Sequence, residues 1–346
     1  MKLKVGLIGL GPTWQSRHRP ALAALSNRYS VRAVCDPIAH RAAQVADELG
    51  ARPVYGFRAL AAADDIEAIL MLSGRWFGAL PILAACDYGK AIYCGASVDL
   101  RQDEAEGLRE RVRRSGIAFM AEFPYRLAPA TIRLKELIAT RLGAPRMMFC
   151  NERHAAPAPN GGVAECPASH SRRLIEMVDW CRYIADSEPV TVQCATHRSA
   201  VSVQPEDYSL VTIDFEPDAS GAPPVLAQIA CGSYVPTGWT EAAAFRRPAD
   251  LQVACERGIA FVDLPGTVTW FDEAGQHTEH LQDERPLGER LLMAFHRSVS
   301  SLVLRSSSLD DAYRALQVVL AAQHSAASGQ RVACAPGDAS PTSFGV

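Results

Sequence analysis

The stretch VGLIGLGPTW, residues 5–14, indicates the fold of the first part of the chain. Its opening residues are apolar and partly β-branched, which is typical of a strand buried on both faces of a sheet. Gly9 and Gly11 then form a G-x-G turn, in which the first glycine permits a tight turn and the second lets the backbone approach a phosphate at the start of a helix. The third position of this fingerprint holds Trp14, so either the helix shifts or the turn carries an extra residue.

Strands and helices alternate at short spacing from this stretch to residue 122. That alternation predicts a parallel sheet with helices on both faces, and a doubly wound Rossmann sheet is the simplest topology. After residue 122 several strand-like segments follow one another without helices between them, which predicts a large, mostly antiparallel open sheet. We therefore expect an α/β protein with a Rossmann domain at 1–122 and a second α/β domain at 123–346.

The composition argues against several classes of protein. Charged residues make up 21% of the 346, the net charge is -3 and no long run of one sign occurs, so no nucleic-acid surface or polybasic membrane patch is expected. No stretch approaches ~20 uninterrupted apolar residues, and the apolar start is too short for a signal peptide. Ten cysteines without a C-x-x-C spacing predict reduced core residues in a cytoplasmic protein, and no metal site is expected.

Asp36 supports a nucleotide-binding role for the glycine turn, because it ends the second predicted strand, VRAVCD. A carboxylate at this place binds the ribose hydroxyls of adenosine and repels a 2′-phosphate, which favours NAD over NADP as the cofactor. The alternative is that both glycines only turn the chain and that Asp36 caps the next helix. The basic residues at 17–19 are expected in a solvated turn of the first helix, with a position near a pyrophosphate as the alternative.

Several segments occur in the order and spacing of one known family: VGLIGLG, VRAVCDP, ILAACDYGKAIYC, YRLAPATIRLKELI and DWCRYIADSEPVTV. By these segments the chain resembles the Gfo/Idh/MocA family, the relatives of glucose–fructose oxidoreductase and inositol dehydrogenase. The resemblance implies an NAD(P)-binding Rossmann domain, a sugar, polyol or related substrate, and a second domain whose large sheet forms the interface of a homodimer or homotetramer. The cofactor-binding candidates are Gly9, Gly11, Pro12, Thr13, Trp14, Asp36, Ser73, Arg75 and Arg126.

The positions that carry chemistry in this family differ in this chain. The family's Glu-Lys-Pro segment aligns with Gly95, Ala96 and Ser97. The family lysine contacts the reacting oxygen and helps to move a proton, and hydride transfer at a carbon bearing oxygen needs such a proton partner, which Ala96 cannot be. A family histidine after the fourth strand is likewise replaced by Gly78, in a segment where Arg75 either lines a pocket or covers the sheet edge.

The family's second-domain His-x-x-Asp motif is altered as well. One alignment keeps Asp179 and puts Glu176 in the histidine position, and another makes His170 the counterpart of that histidine. Three residues apart on a helix, the two carboxylates share one face, and carboxylates whose pKa values are split can work as acid and base. These three residues are the predicted catalytic groups. The alternative is that the carboxylates are exposed and paired with arginines of the same helix.

Two hypotheses about function follow. In the first, the chain is an NAD-dependent oxidoreductase with non-standard acid/base residues, or uses NAD in a redox-neutral reaction on a glycoside. In the second, it is a catalytically degenerate cofactor- or sugar-binding protein with a sensing or regulatory role, for which a galactose-regulon repressor of the same architecture is the precedent. The missing lysine favours the second hypothesis, and the retained Asp179 favours the first.

Overall fold

The structure of the chain is a computed structural model. It describes residues 2–11, 13–73, 77–95, 100–155, 170–197, 208–217, 223–235, 239–281, 285–300 and 307–334. The described residues divide into two compact units. The first unit takes in residues up to 127 together with 285–313, and the second takes in 128–281 and 314–334.

The first unit contains a parallel sheet of six strands. The strands are β1 (Leu3–Ile8), β2 (Tyr29–Cys35), β3 (Arg52–Pro53), β4 (Ala68–Met71), β5 (Ala91–Cys94) and β6 (Phe119–Ala121). Their order across the sheet is β3-β2-β1-β4-β5-β6, and every pair is parallel. The four residues of β4 and of β5 are all buried, as expected for strands covered on both faces. The predicted doubly wound Rossmann sheet is therefore confirmed, and its topological switch point lies between β1 and β4.

The helices in the described ranges are α1 (Arg19–Ala24), α2 (Ala39–Glu48), α3 (Phe57–Ala61), α4 (Leu80–Asp87), α5 (Gln102–Ser115), α6 (Pro129–Leu137), α7 (His170–Ala185), α8 (Thr240–Ala244), α9 (Leu287–Ser300) and α10 (Ser307–Ser328). None of them is both long and apolar enough to cross a membrane. Short turns of other helix types occur at Trp14–His18, Pro124–Leu127 and Ile138–Leu142.

Helix α9 packs in the first unit, although the expected division at residue 122 places it in the second domain. Its apolar face is fully buried through Leu291, Leu292 and Phe295, in the same cluster as the inward residues of β1. The buried Tyr29 hydroxyl donates a hydrogen bond to the Leu292 carbonyl at 2.5 Å. The amphipathic pattern of α9 predicts a buried face, but a single sequence does not say which sheet that face covers.

The second unit contains a sheet of nine strands. The strands are β7 (Pro145–Ala155), β8 (Pro189–His197), β9 (Tyr208–Phe215), β10 (Leu226–Val235), β11 (Leu251–Cys255), β12 (Gly258–Asp263), β13 (Thr267–Asp272), β14 (Gly275–His280) and β15 (Val332–Ala333). Their order is β14-β13-β12-β11-β7-β10-β9-β8-β15, and only the β7–β10 pair is parallel. The predicted large, mostly antiparallel sheet is therefore confirmed.

One face of this second sheet is covered by helices. Along β9 every second residue is buried, with Val211, Ile213 and Phe215 at most 1% exposed. Helix α7 packs on β7 and β10, and the Ser325 hydroxyl of α10 accepts a hydrogen bond from the Cys194 N–H of β8 at 3.0 Å. The alternation of buried and half-buried residues is typical of a sheet with one packed face.

Candidate functional site

The glycine turn lies directly against the chain that leaves β4. Gly9 has φ +71°, which favours glycine, and a Cβ atom on it would lie 2.8 Å from the Ser73 carbonyl oxygen. A Cβ atom on Gly11 would lie 2.5 Å from the Leu72 carbonyl oxygen. The two glycines are therefore needed for this close approach at the switch point of the sheet, where doubly wound folds bind their ligands. Ser73, a cofactor-binding candidate, lies beside the turn.

Trp14 fits into the fold because the first helical turn is wider than an α-helical turn. Residues Trp14–His18 form a π-helical turn, in which the His18 N–H bonds to the Thr13 carbonyl at 3.2 Å. Such a turn holds one residue more than an α-turn, so the extra-residue alternative describes how Trp14 is accommodated. The indole is 3% exposed in the apolar cluster of the first unit, and its Nε1 has no hydrogen-bond partner among the described residues.

The Asp36 carboxylate connects the glycine turn to the start of α2. It accepts hydrogen bonds from the Leu10 N–H at 2.8 Å and from the Ile38 N–H at 2.9 Å. The Arg41 guanidinium covers it, with Nε 3.0 Å from Oδ1 and Nη2 2.8 Å from both carboxylate oxygens. Asp36 thus lies at the end of β2, as predicted, and also satisfies a backbone N–H at the start of α2. No motif in the sequence marks Arg41, which contacts this predicted cofactor residue.

A second buried carboxylate, Glu122, follows β6 at the same edge of the sheet. The Tyr93 hydroxyl donates a hydrogen bond to its Oε2 at 2.6 Å, the His18 Nε2 lies 3.0 Å from the same oxygen, and Arg17 forms an ion pair with Oε1. Burial alone would raise the pKa of Glu122, but the hydrogen bond and charge of His18, the charge of Arg17 and the Tyr93 hydroxyl together lower it to about 2. Glu122 is therefore an anion at neutral pH.

The predicted solvated turn at residues 17–19 is wrong for His18, whose side chain is fully buried. The Arg17 side chain is 24% exposed and only Arg19, at 47%, fits the prediction. The reason is the π-helical turn, which directs the His18 side chain into the first unit. There the buried imidazole has the Glu122 carboxylate as its polar partner. The sequence does contain a pattern that marks Glu122. Like Asp36, it is a carboxylate placed directly after a strand of the parallel sheet.

The predicted catalytic residues all lie on α7. His170 begins the helix, with its Nε2 2.7 Å from the Ser209 hydroxyl. Glu176 accepts a hydrogen bond from Arg172 at 2.8 Å. Asp179 is 1% exposed and its Oδ1 lies 3.7 Å from the Arg182 guanidinium.

The helix geometry separates these residues into two groups. His170 and Asp179 are nine residues apart, which on a regular helix corresponds to opposite sides and about 13 Å along the axis. Glu176 and Asp179 share one side, as predicted. Both carboxylates pair with arginines of the same helix, which the alternative interpretation also expected, but Asp179 is buried instead of exposed. A catalytic role stays a prediction for all three.

A further polar group lies at the ends of β7 and β10. Glu152 of β7 faces Arg173 of α7, with 4.0 Å between the charged groups. Burial and the negative charge of Glu152 raise the pKa of the Cys231 thiol to about 12, against a smaller opposite effect of Arg173. The thiol is therefore protonated at neutral pH. No sequence pattern marks Glu152 and Arg173 as a pair, because they lie on separate elements, β7 and α7.

The other predicted cofactor residues have different outcomes. The Arg126 guanidinium pairs with Asp311 at 2.8 Å and lies 5.3 Å from the centre of the Phe123 ring. Thr13 places its hydroxyl 3.3 Å from the His18 Nδ1. Pro12 and Arg75 lie outside the described residues, as do Ala96 and Ser97. Within the described ranges, no group of three or more His, Cys, Asp or Glu residues could hold a metal ion.

Comparison with known proteins agrees with this geometry. Residues 3–123 match the family GFO_IDH_MocA, described as an oxidoreductase family with an NAD-binding Rossmann fold. Over residues 3–123 the chain is therefore similar to the Gfo/Idh/MocA oxidoreductase family. The resemblance predicted from the sequence is thereby confirmed, and the match ends next to Glu122, after β6.

Curated relatives and solved structures extend the comparison. Inositol 2-dehydrogenase 3 of Saccharopolyspora erythraea is 31% identical over 202 residues, which are 56% of this chain and 56% of that protein. D-xylose 1-dehydrogenase (NADP(+)) 2 of Haloferax volcanii is 31% identical over 140 residues, 40% of this chain and 42% of that protein. The chain thus spans about half the length of these Gfo/Idh/MocA relatives, or less.

A solved structure covers nearly the whole chain. The aldose-aldose oxidoreductase of Caulobacter crescentus, complexed with glycerol, matches with a TM-score of 0.80 over 96% of this chain and 100% of that one. The sequence identity is 15%, so this likeness shows the fold alone. The likeness in fold includes the second sheet, which lies beyond the residues that match the family.

Proposed function

We propose that the chain binds a nicotinamide dinucleotide on its first unit and is an oxidoreductase that acts on a sugar, a polyol or a related small molecule. The observation that carries this proposal is the glycine turn held against Ser73, with the Asp36 carboxylate fixed to the Leu10 N–H. In this proposal, Gly9 and Gly11 receive the pyrophosphate and Asp36 receives the adenosine ribose, as the corresponding groups of a Rossmann fold do. The curated relatives, an inositol and a xylose dehydrogenase by name, support the substrate class.

NAD is proposed as the preferred cofactor over NADP. The Asp36 carboxylate repels a 2′-phosphate and accepts hydrogen bonds from ribose hydroxyls. Arg41 partly offsets that preference, because its guanidinium lies on the carboxylate and its side chain is 41% exposed. An arginine at this place is able to pair with a phosphate, and the Haloferax volcanii relative carries NADP(+) in its name. We therefore expect a modest preference for NAD.

Glu176 is the proposed proton-transfer group. A bound nicotinamide supplies the donor or acceptor of a hydride, and a protein group must take up or deliver the proton of the substrate hydroxyl. The Glu176 side chain is 13% exposed and contacts Arg172, whereas Asp179 is almost fully buried beside Arg182. Asp179 would have to leave a buried ion pair to reach a substrate, which costs free energy. The same movement costs less free energy for Glu176.

A second candidate function is binding of the cofactor without turnover. It is favoured by Ala96 in the place of the family lysine and by the ion pairs that engage both α7 carboxylates. The two candidates share the cofactor site and differ in whether hydride is transferred.

The test is a screen for NADH formation from NAD⁺ with a panel of sugars, polyols and sugar acids. Formation of NADH with any of them, abolished in Gly11→Val, supports the oxidoreductase. Gly11→Val is chosen because a Cβ atom at residue 11 would meet the Leu72 carbonyl oxygen. If the protein binds NADH but no substrate is turned over in either direction, the binding function is supported and the oxidoreductase is not.

A further inference from the structure

Gly95 and Glu122 stand side by side at the carboxyl edge of the first sheet. Gly95 follows β5, and Glu122 follows the neighbouring strand β6. In the alignment predicted from the sequence, Gly95 takes the place of the glutamate of the family's Glu-Lys-Pro segment. A Cβ atom built on Gly95 would lie 3.0 Å from the Glu122 Oε2. A side chain at residue 95 would therefore begin in tight contact with the Glu122 carboxylate. The family's carboxylate is thus absent after β5 in this chain, and Glu122 provides a carboxylate at the same edge of the sheet, after β6.

The Glu122 carboxylate is fixed by three side chains of the same unit. Tyr93 and His18 contact one oxygen, and Arg17 contacts the other. The carboxylate side chain is 1% exposed, while Arg17 remains 24% exposed. The edge of β5 and β6 therefore carries an anion that is shielded from water and a cation that water partly reaches.

The position of this pair in the Rossmann domain indicates that it lies near the nicotinamide half of a bound dinucleotide. The fold consists of two mononucleotide-binding halves. In the proposed function, the half formed by β1, β2 and β3 receives the adenosine through Asp36. The half formed by β4, β5 and β6 then receives the nicotinamide nucleotide, and Glu122 and Arg17 meet at the ends of its last two strands.

We propose, resting on the proposed function, that Glu122 balances the charge of Arg17 in the nicotinamide half of the site and so sets the relative affinity for oxidised and reduced cofactor. The oxidised nicotinamide ring carries a positive charge, and the reduced ring carries none. A guanidinium without its carboxylate repels the oxidised ring only. Because the pair lies in a partly buried place, where charges interact more strongly than in water, this difference is large enough to measure.

The experiment measures the dissociation constants of NAD⁺ and NADH for the full chain by calorimetry, in the wild type and three variants. Glu122→Gln is expected to raise the ratio of the NAD⁺ to the NADH dissociation constant roughly tenfold, because the guanidinium left without its carboxylate repels only the oxidised ring. Arg17→Gln is expected to lower the ratio by a similar factor. The double variant returns it to near the wild-type value. A purely structural role of Glu122 would weaken both cofactor forms equally and leave the ratio unchanged.

A matched control uses an ion pair of the same charges elsewhere on the first unit. Arg19 and Glu48 lie 3.1 Å apart, with side chains 47% and 33% exposed. Arg19→Gln and Glu48→Gln are expected to leave the ratio within about twofold, because exposed charges are screened by solvent. If they shift it as strongly as the Arg17 and Glu122 variants, the effect is one of net charge and the proposal is overturned.

The outcomes separate this inference from the proposed function. If Glu122→Gln and Arg17→Gln bind both cofactor forms and the ratio of their dissociation constants is unchanged, the inference is overturned and the proposed function stands. Absence of binding of either form to the folded wild type overturns the proposed function and the inference with it. If Glu122→Gln does not fold, Arg17→Gln decides the question, because its partly exposed side chain allows removal without loss of the fold.

The relocation of the carboxylate has a test that needs no cofactor. Glu122→Gly is expected to lower the melting temperature by roughly 5–10 °C, since it removes the partner of buried polar groups. Adding Gly95→Glu is expected to recover at least half of that loss, because residue 95 has no positive φ and a side chain there begins beside the same partners. A double variant no more stable than Glu122→Gly would overturn the equivalence of the two positions.

Discussion

The carboxylates of the two units are held in different ways. In the first unit, Asp36 and Glu122 each follow a strand of the parallel sheet and bind at least one group far away in the chain, 26 residues away at Leu10 and 104 residues away at His18. Asp36 also pairs with Arg41, five residues away. In the second unit, Glu176 and Asp179 lie on one helix and pair with arginines four and three residues away. Distant segments of the chain thus contribute partners to the first pair, whereas the arginines that contact the second pair belong to the same helix.

This difference indicates a division of roles. A carboxylate fixed by several groups of a rigid sheet edge is suited to a constant charge or a constant hydrogen bond. A partly exposed carboxylate such as Glu176, at 13%, is able to reach a substrate and exchange a proton with it. The comparison predicts that substitutions in the first unit act on stability and cofactor affinity, and that Glu176 acts on turnover.

The largest expected effect is on stability. Glu122→Ala is expected to lower the free energy of unfolding by about 3–5 kcal/mol, because it leaves buried polar partners without their anion. Glu176→Ala, the matched helix carboxylate, is expected to cost no more than about 1 kcal/mol. Guanidinium denaturation of both variants measures the difference. Equal losses would show that the two carboxylates are held alike.

The pH dependence of stability sharpens the same comparison. The pKa of Glu122 is lowered from 4.5 to about 2 in the folded protein, so its stabilising effect is fully present above pH 4.5 and is lost as the pH falls through about 2. The unfolding free energy of the wild type is expected to exceed that of Glu122→Gln by about 3 kcal/mol at neutral pH, and the difference is expected to shrink steadily below pH 4.5. Denaturation of both proteins across this range measures it. A difference that does not change with acidification would contradict the assignment.

Turnover tests the role of the helix-held carboxylate. Once a substrate is identified, Glu176→Gln is expected to lower kcat about a hundredfold while the NADH affinity stays the same, because only proton transfer is lost. Asp179→Asn is the comparison variant for the other carboxylate of α7. It is expected to lower the free energy of unfolding more than Glu176→Gln does, because it disturbs a buried ion pair. Full activity of Glu176→Gln would remove this residue from the mechanism.

The smallest expected effect concerns the choice of cofactor. Arg41→Ala removes the cation beside Asp36 and is expected to weaken NADPH binding roughly tenfold, with NADH changed by less than about threefold. Parallel fluorescence titrations of the two nucleotides measure both values. Equal losses for NADH and NADPH would mean that Arg41 holds Asp36 in place and does not discriminate between the cofactors.

The local features of the fold could be predicted from the sequence. The apolar strand with Gly9 and Gly11, followed by Asp36, led to the Rossmann sheet, and the run of strands after residue 122 led to the antiparallel sheet. Both predictions depend on patterns within a few residues. The width of the turn at Trp14 was left open, because a π-helical turn has no clear pattern in one sequence.

Long-range partners could not be predicted in the same way. The contact of His18 with Glu122 and the packing of α9 in the first unit each join segments that are more than a hundred residues apart. A histidine between two arginines looks like a solvated segment unless the buried carboxylate that it meets is known. For the same reason the pairing of Arg173 with Glu152 was visible only in the structure.

The most direct test of the central claim, that the first unit binds a nicotinamide dinucleotide, is a titration of the purified, cofactor-free protein with NADH, with NADPH in parallel. We expect NADH to bind with a dissociation constant on the order of micromolar, and more tightly than NADPH. Absence of binding of either nucleotide to the folded protein would contradict the claim, because it would mean that the turn with Trp14 does not admit the cofactor.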